Sequence, residues 1–151
     1  MKVVLQIVSK ASVEIEGKEV SHIDKGYLLL VGFTQGDTLE IAKKMADKIL
    51  KLRIFPDENG KTNLSLAQVS GNVLCVSQFT LYASAKEGNR PSFVFAMAPE
   101  EARVLYQEFF NYFKTKLPSL QGGVFQADMS VSLVNEGPFT LVLDSKELFN
   151  A

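Results

Sequence analysis

The chain has no tryptophan, one cysteine (Cys75) and one histidine (His22) among 151 residues. A Cys–His pair is therefore the only thiol-based catalytic option, and neither a two-His nor a multi-Cys metal site can be built within one chain. An intrachain disulfide is excluded. Cys75 lies in the apolar run Val73-Leu74-Cys75-Val76, which suits a small buried hydrophobe in a reducing, cytoplasmic protein. Also missing is any apolar stretch near the ~20 residues that span a bilayer, and the N-terminus alternates polar with apolar instead of forming a signal-peptide core. The expectation is no membrane insertion and no export. Neither G-x-x-x-x-G-K-[ST] nor G-x-G-x-x-G occurs, so phosphate-cradling enzymes lose ground. No charge sign dominates either: 16 basic residues face 17 acidic ones, for a net charge of −1. Such a field does not favour long nucleic-acid tracts, although gripping only the end of an RNA needs few phosphates neutralised. If the protein is an enzyme, hydroxyls, amides and backbone groups must carry its chemistry.

What is present is a hydrophobic fraction of 46 %, enough for one globular domain over residues 1–151 with a core that needs no staples. Val3 to Val8 and Ala11 to Ile15 read as two strands of an N-terminal hairpin, with a turn at Glu16-Gly17-Lys18-Glu19. Tyr27 to Phe33 is continuously apolar between Gly26 and Gly36, as a central strand covered on both faces would be. From Thr38 to Arg53 the period becomes helical: Leu39, Ala42, Met45, Ala46, Ile49 and Leu52 form one stripe, and Asp37 or Thr38 caps the start. Asn59-Gly60 within Pro56 to Asn63 marks a turn-rich loop. A strand through Val73 to Phe79 precedes a second helix from about Pro99 to Leu117, with Pro99 at its first position, Glu100 and Glu101 on its dipole, and a stripe of Leu105, Phe109, Tyr112 and Phe113. Val124 to Val134 and Phe139 to Leu143 read as further strands flanking Gly137-Pro138. Six or seven strands and two long helices, mixed instead of alternating, give an α+β class: a strongly curved, barrel-like mixed or antiparallel sheet with both helices on one face.

Two polar outcrops end apolar runs: Ser77-Gln78-Phe79-Thr80 and Asn135-Glu136-Gly137-Pro138-Phe139-Thr140. If the strand ends near Phe79, the N–H groups of Phe79 and Thr80, with a hydroxyl nearby, can surround a carbonyl oxygen, where such donors are worth several kcal/mol as negative charge develops. Locally, a strand end satisfying its own last backbone groups with Ser and Thr explains the residues as well. Gly137-Pro138 taken alone reads as a turn between strands; a cis bond there would aim neighbouring carbonyls as rigid acceptors. His22 has Asp24 two positions on, but a surface histidine near a strand end is the plainer reading. No pattern forces two carboxylates together. Lys86, Arg90 and Lys25 or Lys61 can form at most a small basic rim.

These motifs, with Ala11-Ser12-Val13, Arg53-Ile54-Phe55, Arg90-Pro91-Ser92-Phe93 and Ala127-Asp128-Met129, are similar from end to end to the bacterial D-aminoacyl-tRNA deacylase family, formerly D-tyrosyl-tRNA deacylase. The resemblance implies a cofactor-free, metal-free hydrolase. It would cleave the ester joining a D-amino acid to the tRNA 3′ end, and glycine mischarged on tRNA-Ala as well, for chiral proofreading in translation. It also implies a homodimer with active sites at the subunit interface. Ser77, Gln78, Phe79 and Thr80 of one subunit would be the catalytic segment, and Gly137-Pro138 of the other, cis in the family, the selector. Asn135 and Met129 would stand on the substrate side. Rigid backbone at Gly137-Pro138 would meet the substrate amino group and exclude an L side chain, while Phe79 and Thr80 N–H groups polarise the carbonyl and the ribose 2′-hydroxyl helps activate water. Thr80, lacking a base, would position and donate instead of attacking. The chain departs from the family at Gln6-Ile7-Val8, where an arginine is usual in place of Ile7. The alternatives are a non-catalytic dimeric module binding an RNA end or small ligand, and a generic Ser/Thr esterase.

Overall fold

The computed structural model describes all residues from Met1 to Ala151. Its chain order is β1 (Lys2–Ile15), β2 (Lys18–Ile23), β3 (Gly26–Gly32), α1 (Leu39–Lys51), β4 (Arg53–Pro56), β5 (Thr62–Ser65), β6 (Asn72–Ser77), a 3-10 turn (Phe79–Tyr82), α2 (Pro99–Lys116), β7 (Gln121–Gly122), β8 (Ser130–Asp144) and α3 (Ser145–Phe149). The expected α+β architecture is what forms: a mixed sheet curled nearly into a barrel, with the two long helices on one face and a short third helix that was not anticipated.

The curl originates in β1. Its first half, Lys2 to Val8, pairs antiparallel with β3, its second half, Ala11 to Ile15, pairs with β2, and β8 runs antiparallel along nearly its whole length. One strand thus bends through two neighbours, and the expected break between Val8 and Ala11 is not a turn. Register shifts around Val8 and Lys10 absorb the bend instead, as bulges do. The hairpin turn lies where it was expected, at Glu16-Gly17, with Ile15 paired to Lys18 across it. Both turn residues have positive φ, 51° and 77°, the twist that a two-residue hairpin requires.

β6 adds parallel to β3, and β7 parallel to β6. Lying between β1 and β6, β3 is buried on both faces, as its apolar run demands. Tyr27, Leu29 and Val31 join the larger core with Ala42, Met45 and Ile49 of α1 and Phe109 and Phe113 of α2. Leu28 faces the other way, into a smaller cluster with Val8, Val13, Leu74 and Val76. The helical stripes explain why both helices choose the same side: each has one apolar face, and β1, β3 and β6 together offer the matching surface. Thr38 caps α1 by accepting from the Ile41 N–H at 3.3 Å, and Tyr112 of α2 donates to Asp47 of α1 at 2.8 Å. No helix is long and apolar enough to cross a membrane.

Candidate functional site

β6 ends at Ser77, still in register with Val31 of β3. The Gln78 N–H donates to the Val31 carbonyl at 2.7 Å, and there the ladder stops. Phe79 to Tyr82 then turn as a 3-10 helix whose first hydrogen bond is Leu81 N–H to the Gln78 carbonyl at 3.2 Å. The N–H groups of Phe79 and Thr80 are the first two of that turn and fall outside its repeat. These are the donors expected from sequence. The Gln78 side-chain amide donates to Thr80 Oγ1 at 2.6 Å, which fixes the threonine hydroxyl beside them.

This turn opens onto a cavity of about 780 Å³, fourteen of whose twenty-one lining residues are hydrophobic, so charge developing there would be poorly screened and strongly felt by fixed donors. Its walls are the ends of β3 and β6, Ser77 to Phe79, the segment Phe93 to Met97, the first turn of α2, and the stretch Phe125 to Met129 with Val131. The wall 93–97 is pinned by the Thr34–Ala96 bridge, by Met97 N–H donating to the Phe33 carbonyl at 3.0 Å, and by Thr34 Oγ1 donating to the Phe95 carbonyl. Phe93 also stacks edge-on with Phe79, ring centroids 5.2 Å apart. Sequence reading missed this wall as a site element; the only signal was the motif Arg90-Pro91-Ser92-Phe93.

The structure therefore gathers Ser77, Gln78, Phe79 and Met129 about one cavity, with Thr80 next in chain. Asn135, Gly137 and Pro138 are not among the lining. Nor is Gly137-Pro138 a turn between two strands, as local chemistry suggested. β8 is a single strand that continues through it: Val8 pairs with Asn135 and Gln6 with Thr140, so Glu136 to Phe139 are extruded opposite Ile7 alone. Flanking residues keep their pairing with β1, and the bulge carries the residues that a ladder accommodates poorly, above all Pro138, which has no N–H. Glu136, Gly137 and Pro138 are exposed at its tip, the Gly137-Pro138 bond is cis, and Gly137 holds φ 124°, which favours glycine. Ile7, in place of the arginine usual in the resembled family, is buried in the larger core.

The remaining candidates stay outside. His22, on β2 and about half exposed, bonds Asp24 at 3.0 Å. Cys75 is buried, and burial pushes its thiol up to about 12. Lys25 packs over the Phe55 ring, Lys61 follows the β4–β5 turn, and Lys86 and Arg90 sit on the loop closed by the Ser84–Ser92 bridge. These four cations are spread over three separate segments. No three His, Cys, Asp or Glu side chains gather as metal ligands would.

Residues 4–144 match the family described as D-Tyr-tRNA(Tyr) deacylase. The chain belongs to that family. It is 56 % identical over 144 residues to the D-aminoacyl-tRNA deacylase of Lactobacillus acidophilus, covering 95 % of this chain and 99 % of the relative. A solved structure titled c-Myc DNA Unwinding Element Binding Protein superposes with a TM-score of 0.89 at 38 % identity, covering 95 % of this chain and 98 % of that one. A second, titled as a probable eukaryotic D-amino acid tRNA deacylase, gives a TM-score of 0.84 at 17 % identity, covering 94 % and 97 %; it supports the fold alone. As a member of the deacylase family the chain is a hydrolase. The non-catalytic module is set aside accordingly.

Proposed function

We propose that the enzyme edits D-aminoacyl-tRNA as a cytoplasmic homodimer, in which the Glu136–Phe139 bulge of one subunit enters the Ser77–Phe79 cavity of the other. The observation that carries this is the separation of two exposed halves. A cavity headed by free N–H donors has no residue of 132–144 in its lining, while the bulge projects Gly137 and Pro138 into solvent on a different strand. A second copy would complete the site.

In that site the Phe79 and Thr80 N–H groups hold the ester carbonyl and take up the negative charge of the tetrahedral intermediate; a single donor of this kind contributes about 10²–10³ in rate. Thr80 positions and donates. Its hydroxyl already accepts from Gln78, and the one histidine is engaged with Asp24 on β2, so no base stands ready to make it a nucleophile. Water, assisted by the neighbouring ribose 2′-hydroxyl, attacks instead. The bulge meets the substrate amino group with backbone and leaves no room for an L side chain, whereas a D side chain or the bare hydrogen of glycine passes. Glycine mischarged on tRNA-Ala is a substrate on the same ground. Met129 lines the cavity and contacts the aminoacylated end.

The test is release of amino acid from D-Tyr-tRNA against L-Tyr-tRNA, with preferential D release expected; equal rates sink the reading. Site sharing is tested by mixing Thr80→Pro, which removes one donor, with Gly137→Val, which spoils the bulge. Each alone is inactive, and the mixed dimer recovers activity through its one intact site. A mixture as inactive as its parts shows that both halves act within one chain.

A further inference from the structure

Asn135 and Thr140 stand at the neck of the bulge, each still in register with β1 through Val8 and Gln6. Between them β8 inserts Glu136 to Phe139, while β1 supplies only Ile7. Four residues that leave a ladder together lose its hydrogen bonds, and without other ties they would sample many conformations. The ties come from Asn135. Its Oδ1 accepts from the Phe139 N–H at 2.8 Å, and its Nδ2 donates to Thr140 Oγ1 at 2.9 Å. The Phe139 N–H can only donate, so it dictates which end of the carboxamide is the oxygen, and the amide is left as donor to the threonine. Each polar atom of the Asn135 side chain is thus engaged by its own strand. A Cβ on Gly137 would lie 3.2 Å from the same Phe139 nitrogen, so the absent side chain at 137 and the clamp at 135 shape the same peptide.

We infer that Asn135 is a positioning residue for chiral discrimination, clamping the Gly137-Pro138 bulge through Phe139 N–H and Thr140 Oγ1 instead of binding substrate. This rests on the bulge being the selector, as proposed above. It replaces the expectation that Asn135 faces the substrate. A selector that works by exclusion must not move: discrimination depends on where the backbone stands to a fraction of an ångström, whereas hydrolysis depends on the donors of the other segment. Loosening the clamp therefore erodes the ratio of D to L activity more than it erodes D activity.

The measurement is kcat/KM on D-Tyr-tRNA and on L-Tyr-tRNA for wild type, Asn135→Ala, Asn135→Asp and Thr140→Val, with each variant's thermal unfolding recorded to confirm folding. Asn135→Ala is expected to lower the D/L ratio at least tenfold, mainly by raising L hydrolysis. Asn135→Asp restores most of the ratio, since a carboxylate accepts from Phe139 N–H and the Thr140 hydroxyl can turn to donate to it. Thr140→Val gives an intermediate loss. An unchanged ratio in Asn135→Ala overturns the inference. So does a silent Thr140→Val beside an Asn135→Ala that loses D activity without gaining L, because that pattern belongs to direct substrate contact. A wild type without D preference strikes the selector reading itself, and the two failures are thereby told apart.

Discussion

Gly32 lies against the carbonyl of Gln78: a Cβ on that glycine would stand 2.8 Å from the oxygen and 3.1 Å from Leu81 Cβ. The backbone that ends β6 and begins the 3-10 turn thus rests on the end of β3 only because position 32 carries no side chain. The aim of the Phe79 and Thr80 N–H groups is set by that contact. Gly32→Ala is expected to lower kcat on D-aminoacyl-tRNA at least ~10-fold, with a smaller change in KM and about 1–3 kcal/mol of lost stability from overpacking. Steady-state kinetics beside denaturant unfolding checks it; wild-type kcat in a folded variant would show that the turn tolerates displacement.

Cys75 sits in the middle of β6, two residues before the site, yet it takes no part in it. Burial raises its thiol to about 12, so the thiolate is scarce at every pH up to the mildly alkaline range. A chromogenic disulfide reagent at pH 8 is expected to leave native protein unmodified and to titrate one thiol after denaturation. Cys75→Ala should retain activity while losing stability through its cavity.

Tyr27 stacks on Phe55, ring centroids 5.2 Å apart, with its hydroxyl buried and without a partner. Burial raises that phenol further above its ordinary range. Removing an orphan hydroxyl returns its desolvation cost, so Tyr27→Phe is expected to be stabilising by about 1 kcal/mol, an upward shift of roughly 2–4 °C in Tm. Calorimetry decides the sign, and a drop in Tm would mean that the hydroxyl is satisfied in solution.

Asp57 holds the β4–β5 connection, accepting from the backbone of Lys61 at 3.0 Å and Asn59 at 2.9 Å and from the Asn63 amide at 3.1 Å. The Lys61 hydrogen bond leads in holding its carboxyl below the ordinary 3.8. With the folded value the lower one, the stabilisation is present above the unfolded value and is lost as pH falls through the folded one. Thermal unfolding between pH 5 and about pH 2.5 should therefore show a steeper acid decline for wild type than for Asp57→Asn. Parallel curves would assign the decline to other carboxylates.

The helices were legible because each carries its own punctuation: Thr38 ahead of a 3.6-residue stripe, and Pro99 ahead of Glu100 and Glu101. β3 was legible too, since nothing polar interrupts it. β1 and β8 were not. Ser9-Lys10 looked like a break because both side chains are exposed, but exposure at a bulge does not interrupt pairing. Gly137-Pro138 looked like a turn because turns and bulges draw on the same residues, and only the partner strand tells them apart. The strand end that leaves the Phe79 and Thr80 N–H groups outside the ladder was readable from Ser77 to Thr80. Its wall at Phe93 to Met97 was not, for it depends on Thr34, some sixty positions earlier, and long-range pairing leaves no local trace.

β8 closes the edge of β1 from Lys2 to Glu14, so β1 must wait for a strand translated much later. While the ribosome works, that edge stays open, a state that invites wrong partners and slows folding. The bulge is delivered on the same late strand. A nascent or truncated chain lacking β8 thus has an unfinished sheet and no bulge, and the segment that carries Gly137-Pro138 takes its place only when the fold closes.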